Sequence, residues 1–144
     1  MPSTGSAPSQ IMLDDALRNA ILDIPSCIAM GAVDLTSGTL LALQSEQERS
    51  QEMLNILTAT ITEMFEAPLL QAFSEIYAPN SDESAARGTR FTELLLLNNH
   101  HNYLLLRGRK RQDLAVIVIT KKDTPAGLLM MKALAAMPGI ENAL

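Results

Sequence analysis

The chain is 144 residues long, 47% hydrophobic and 19% charged, with a formal net charge of −5. That length suits one domain whose core can stand without metal or disulfide staples, and the single cysteine, Cys27, excludes an internal disulfide. No apolar run reaches the ~18–20 residues of a membrane span, and no basic-then-apolar leader opens the sequence; a soluble, cytoplasmic protein without membrane insertion is expected.

Residues 1–10, rich in Pro, Ser, Thr and Gly, are expected to form a disordered tail. One domain then spans residues 11–138, and residues 139–144 form a second tail. From Gln10, Ile11, Met12, Ala16, Leu17, Ala20, Ile21 and Ile24 recur at spacings of three and four, which predicts an amphipathic helix ended by Pro25. Residues 28–34 read as a strand. Leu35-Thr36-Ser37-Gly38 is a turn whose Gly38 supplies backbone freedom, and residues 39–43 return as the partner strand. A second helix is expected from about Ser45, with an apolar stripe of Met53, Leu54, Leu57, Ile61, Met64 and Phe65. Pro68 should kink or divide it. A helical pattern resumes over residues 69–76, with Leu70, Phe73 and Tyr77 available for packing.

Residues 78–88 are polar and hold Pro, Gly, Ser and Asn, so they predict a loop. Three strands follow, over residues 90–97, 101–107 and 114–120, joined by Asn98-Asn99-His100 and by a charged turn over residues 108–113. Leu114 to Ile119 are continuously apolar, as in a strand buried on both faces. Residues 125–137 predict a final helix, capped by Asp123 or Thr124 and started by Pro125, with Leu128, Met131, Leu134 and Ala135 inward. The order is helix, two strands, helix, three strands, helix. Such clustering argues for an α+β fold with antiparallel meanders.

Charge is unevenly spread. Residues 1–86 hold twelve acids and two bases, a balance of −10, whereas residues 87–144 hold nine bases and four acids, a balance of +5. The densest cluster is Arg107, Arg109, Lys110 and Arg111, set between two predicted strands as a basic hairpin tip. It suits solvent or an acidic protein face. A net negative chain with 3% aromatics is poorly suited to nucleic acid, and none is expected as a partner.

Reactive signatures are missing. There is no phosphate-binding glycine loop, no C-x-x-C and no H-E-x-x-H. His100 and His101 are adjacent and read as a solvated hairpin tip rather than a metal pair. Cys27 has no local base and reads as an inert buried thiol. Asp14, Asp15, Asp23 and Asp34 have ordinary places at a helix start and beside turns. Met130, Met131 and Met137 read first as core. No catalytic residue, cofactor or metal is expected.

The stretch from Ile24-Pro25-Ser26-Cys27 through Asp34 and Ser37-Gly38-Thr39-Leu40 resembles the opening of roadblock domains. There a helix ends at an I-P-G-like step before a strand with a terminal Asp. Tyr103 to Leu106, Leu114 to Ile119 and Pro125-Ala126-Gly127-Leu128 are similar to the last two strands and final helix of that family. The resemblance, to the roadblock/dynein light chain family of bacterial small-GTPase regulators, covers about residues 11–137. Ser26 replaces the common Gly of the step, and the region over residues 68–88 is longer than usual.

That resemblance implies a five-stranded antiparallel sheet with helices on its faces. It also implies a homodimer, or a heterodimer with a paralogous roadblock protein, in which second helices and edge strands meet. The implied role is a non-catalytic regulatory or scaffold module binding a small Ras-like GTPase. The expected dimer surface is Met53, Leu54, Leu57, Ile61 and Met64 on the second helix; the expected partner surface is the basic tip. The alternative is a small-molecule-sensing module of profilin or PAS outline, which needs a cavity behind the sheet.

Overall fold

A computed structural model of the chain describes residues 8–47, 50–77 and 91–144. Its elements are α1 (Pro8–Asp23), β1 (Cys27–Asp34), β2 (Thr39–Ser45), α2 (Gln51–Glu66), α3 (Pro68–Tyr77), β3 (Glu93–Leu97), β4 (His101–Arg107), β5 (Leu114–Lys121) and α4 (Ala126–Asn142). The strands form one sheet in the order β2-β1-β5-β4-β3, antiparallel at every step. This is the expected five-stranded α+β arrangement.

Alternation along the strands sorts the core into two layers. On one face Met30, Ala32, Leu104, Leu106, Val116 and Val118 meet Leu13, Leu17 and Ala20 of α1 and Leu129, Ala133, Met137 and Ile140 of α4. On the other face Val33, Leu105, Ala115 and Ile117 meet Ile61 and Phe65 of α2. The central strand β5 is enclosed by both layers, which is why it reads as an unbroken apolar run. The second layer is the thinner one, because α2 contributes only two fully buried side chains.

Local chemistry explains the ends. Ser26 takes a left-handed φ of 57° between α1 and β1. This position favours glycine because an L side chain crowds its own carbonyl there. Asp34 accepts hydrogen bonds from the Thr36 N–H (2.9 Å) and the Ser37 hydroxyl (3.1 Å), fixing the β1–β2 turn around Gly38 at φ 70°. Buried Asn102 donates through Nδ2 to the Thr124 carbonyl (2.8 Å) and the Thr120 hydroxyl (3.2 Å), while the Thr124 hydroxyl donates to the Pro25 carbonyl (2.7 Å). These bonds tie β4, β5 and the start of α4 to the end of α1.

Several boundaries differ from expectation. The second helix does not begin at Ser45, which still belongs to β2; Ser50 caps it, its hydroxyl accepting from the Met53 N–H at 3.1 Å. Pro68 does divide the helical run: Ala67 leaves helical geometry at ψ 97° and α3 restarts behind it. The α3 residues expected to pack do not. Leu70, Phe73 and Tyr77 are exposed and α3 buries no residue at all. Thr124 does not cap α4, its hydroxyl being taken by Pro25.

The inward face of α4 is Leu129, Ala133, Met137 and Ile140; of the expected residues only Leu134 packs, half-buried, against that core, while Leu128, Met131 and Ala135 lie outside it. In a helix that is apolar nearly all round, several stripes satisfy the same spacing. Nor is the stretch after residue 138 a tail. The helix runs to Asn142 through Pro138, and Ile140 and Ala143 are buried. A proline inside a helix costs about 3 kcal/mol; burying Ile140 at ~1.5–3 kcal/mol, with Ala143 beside it, largely offsets it. Of the expected N-terminal tail, residues 8–10 lie in α1, and residues 1–7 lie outside the described residues. So do the expected loop over residues 78–88 and the start of the strand at Arg90.

Candidate interaction surfaces

Chemistry of the catalytic kind finds little to stand on among the described residues. No group of three or more His, Cys, Asp or Glu side chains converges there on a possible metal position. Burial pushes the Cys27 thiol up from an ordinary 9.0 to about 11, although backbone hydrogen bonds at Ala29 and Ile119 partly oppose the shift. A thiol so placed is protonated and inert at neutral pH. His100 is exposed at the β3–β4 turn, where the Asn98 side chain accepts from the His100 and His101 N–H groups at 2.8 Å. Asp15 pairs with Arg18 at 2.7 Å on the surface of α1, and Asp23 lies 3.7 Å from Lys132. No described helix is long and apolar enough to cross a membrane.

Exposed apolar surface is the more informative feature. The edge strand β3 reads Glu-Leu-Leu-Leu-Leu. Leu94 faces the α2 layer with Leu105, but Leu95, Leu96 and Leu97, which fall on both faces, are 36%, 40% and 53% exposed. Among the described residues, no helix covers the end of this edge. A sheet edge with unpaired backbone groups and apolar flanks is a template for a further strand. Natural edges are commonly shielded by lysine, proline or a bulge, and β3 has none of these.

The stripe on α2 is divided by the fold. Ile61 is fully enclosed in its own protomer against the β-sheet, and Leu57 and Met64 pack beside it. Ile61 therefore has no area left to offer a twin, contrary to its expected place in a dimer surface; Met53, Leu54, Leu57 and Met64 are half-buried. The outward face of α2 is instead Ile56, Ala59, Thr60 and Glu63, with Ile56 60% exposed. Beyond it, α3 presents Leu69, Phe73, Ile76 and Tyr77 to solvent, with the Phe73 and Tyr77 rings 5.3 Å apart. An open groove of about 750 Å³ runs between α2 and β2, lined by Leu40, Leu54, Thr58 and Thr62 among others. It lies outside the layer filled by Ile61 and Phe65, so it is a surface furrow rather than a chamber behind the sheet.

The basic tip is built with more order than a charge run suggests. Arg107 is drawn into the fold. Its Nε donates to the Phe91 carbonyl at 2.9 Å, its Nη1 to the Gln112 carbonyl at 3.0 Å, and its guanidinium sits 4.9 Å from the centre of the Phe65 ring. Arg109, Lys110 and Arg111 are exposed. Their backbone N–H groups all donate to one carboxylate, Glu141 of α4, at 3.1, 2.8 and 3.1 Å. Gly108 is required beneath them, since a Cβ there would lie 2.3 Å from the Arg111 carbonyl oxygen. Glu141 is buried. Burial by itself would raise its pKa, but the three amides and the Lys110 charge outweigh that and hold it below the ordinary carboxylate value.

Glu141 escapes a reading of the sequence that ends the helix at residue 137. The available signal is Met137, Ile140 and Leu144, which continue the helical spacing of three and four past Pro138.

No protein-family profile and no curated protein matches this chain. Solved structures do. The gliding protein MglB from Thermus thermophilus is 12% identical, with a TM-score of 0.73 over 96% of this chain and 92% of that chain. A structure described as MglB with a tetrameric arrangement is 16% identical, with a TM-score of 0.70 over 100% and 99%. A Roadblock/LC7 domain from Streptomyces avermitilis is 7% identical, with a TM-score of 0.67 over 90% and 94%. With the same architecture shared over nearly the whole length of each, the chain has the roadblock-family fold.

Proposed function

We propose that this chain is a dimeric, non-catalytic regulatory or scaffold module of the cytoplasm that binds a small Ras-like GTPase. The observation that carries the dimer is the bare apolar edge of β3, with Leu95, Leu96 and Leu97 exposed on a roadblock fold. Two copies related by a two-fold axis set β3 antiparallel to β3 and join the sheets into one, since a two-fold contact makes the same patch meet itself. A five-residue ladder falls short of the roughly 800 Å² per partner of a stable interface. The outward Ile56 and Ala59 of α2 and the apolar residues of α3 supply the remainder. A paralogous roadblock protein with a similar edge fits the same geometry.

The GTPase is what the sequence resemblance to roadblock domains implies, and the fold agrees with that resemblance. The relatives in structure include MglB proteins and a protein described as MglC from Myxococcus xanthus, with 9% identity and a TM-score of 0.56. The exposed Arg109, Lys110 and Arg111 suit an acidic face on that partner. Sedimentation velocity at micromolar concentration tests the first half: a dimer is expected, and Leu96→Lys is expected to give a monomer. A monomeric wild-type chain at these concentrations refutes the dimer. Titration with a small GTPase encoded beside this chain tests the second half; absence of binding in both nucleotide states refutes it.

A further inference from the structure

Three consecutive backbone amides aimed at one carboxylate form an anion cradle. In this chain the cradle is the turn from Gly108 to Arg111, and its occupant comes from the same chain, Glu141 near the end of α4. The arrangement solves an electrostatic problem. Arg109, Lys110 and Arg111 crowd three positive charges into three consecutive residues, and no carboxylate side chain forms a salt bridge with them among the described residues. The buried Glu141 carboxylate lies directly beneath, takes up every amide that the turn would otherwise leave to solvent, and places one negative charge under the cluster. The side chains are left to project outward. Beside them a hollow of about 390 Å³ has Arg107, Arg109 and Lys110 on its rim and Leu134, Met137 and Pro138 along its wall.

We propose that Glu141 is the positioning residue of a docking surface for an acidic protein segment: its carboxylate closes the cradle, and the closed cradle presents Arg109, Lys110 and Arg111 as one array beside an apolar hollow. This deepens the reading of the basic turn given above and rests on it. The occupant is an acidic protein surface rather than a polyanion such as nucleic acid. The three cations reach over one turn only, and the other half of the same chain carries a balance of −10, which repels an extended polyanion. The hollow in turn takes an apolar side chain, which a protein supplies.

The test uses the full chain, its Glu141→Ala and Glu141→Gln variants, and an Arg109→Glu/Lys110→Glu/Arg111→Glu variant that keeps Glu141. In amide NMR spectra, Glu141→Ala is expected to shift the Arg109, Lys110 and Arg111 amides and speed their exchange roughly tenfold, with the β4 and β5 amides unmoved. Acetate, against chloride at equal ionic strength, is expected to return those amides toward wild type in Glu141→Ala alone. A short peptide of a few glutamates flanking one leucine serves as the acidic probe. Its affinity is expected to fall several-fold in Glu141→Ala, less in Glu141→Gln, and to vanish in the charge-reversed variant. Unshifted turn amides, or an affinity unchanged while the amides shift, overturns the positioning role. Retained binding of the acidic peptide in the charge-reversed variant overturns the basic-turn reading itself and leaves the cradle standing. Equal or tighter binding of duplex DNA by the wild type overturns the assignment to an acidic protein. Should Glu141→Ala fail to fold, Glu141→Gln carries the amide and affinity comparisons.

Discussion

Phe65→Ala is the substitution that most directly weighs the thin layer of the fold. The ring is wholly enclosed, clustered with Val33, Leu35, Ile61, Leu105, Ala115 and Ile117. Truncating a buried phenylalanine costs about 3–5 kcal/mol, the spread depending on how far the site collapses. The Arg107 guanidinium, 4.9 Å from the ring centre, adds a cation–π contact of ~0.5–2 kcal/mol that disappears with the ring. Only Ile61 then remains fully buried on α2, with the half-buried Leu57 and Met64 beside it. A loss of about 4 kcal/mol is a large share of the roughly 5–15 kcal/mol that a domain has. Urea unfolding followed by far-ultraviolet circular dichroism measures it, with Leu17→Ala of α1 as the comparison in the thicker layer. Phe65→Leu, which keeps most of the buried volume, is expected to cost under ~2 kcal/mol. A loss under about 1 kcal/mol for Phe65→Ala, at an unchanged slope against urea, refutes the claim that this ring holds α2 to the sheet.

Three further outcomes concern single residues. Ser26→Gly relieves a left-handed backbone at φ 57° and is expected to stabilise the chain by up to ~1 kcal/mol, read as a higher thermal midpoint. Cys27, buried and with its thiol pushed up to about 11, is expected to resist a thiol reagent at pH 8 in the native chain and to react promptly in urea. Glu141 sits below its ordinary 4.5 in the folded state, so its contribution to stability is complete above the unfolded value and is lost as pH falls through the folded one. The stability gap between wild type and Glu141→Gln is therefore expected to hold steady from neutral pH to roughly pH 5 and to close at more acidic pH. A gap that widens on acidification refutes the assignment.

Much of the architecture is legible in the sequence, because it is written in short-range patterns. The continuous apolar runs of β1 and β5, Gly38 in its turn and Pro68 between two helices each act within a few residues of themselves. The resemblance around Ile24 to Asp34 likewise rests on a local device. Its one departure, serine for glycine, marks the position where the backbone turns left-handed. The expected sites are less legible. Met53, Leu54, Leu57, Ile61 and Met64 share one helical stripe, but a stripe shows only that one side is apolar and not how much of it the chain's own sheet consumes.

Local sequence thus determined the order of the elements and the hairpin turns, since hydrogen-bonded turns and side-chain periodicity need only near neighbours. Tertiary structure decided three things that no local pattern encodes. It chose which stripe of the largely apolar α4 faces inward. It enclosed Ile61 while leaving Leu95, Leu96 and Leu97 bare at the edge of the sheet. And it brought Glu141 onto amides 30 to 32 residues earlier in the chain. Each depends on what lies opposite in space, and that is set by how the layers close over one another rather than by spacing along the chain.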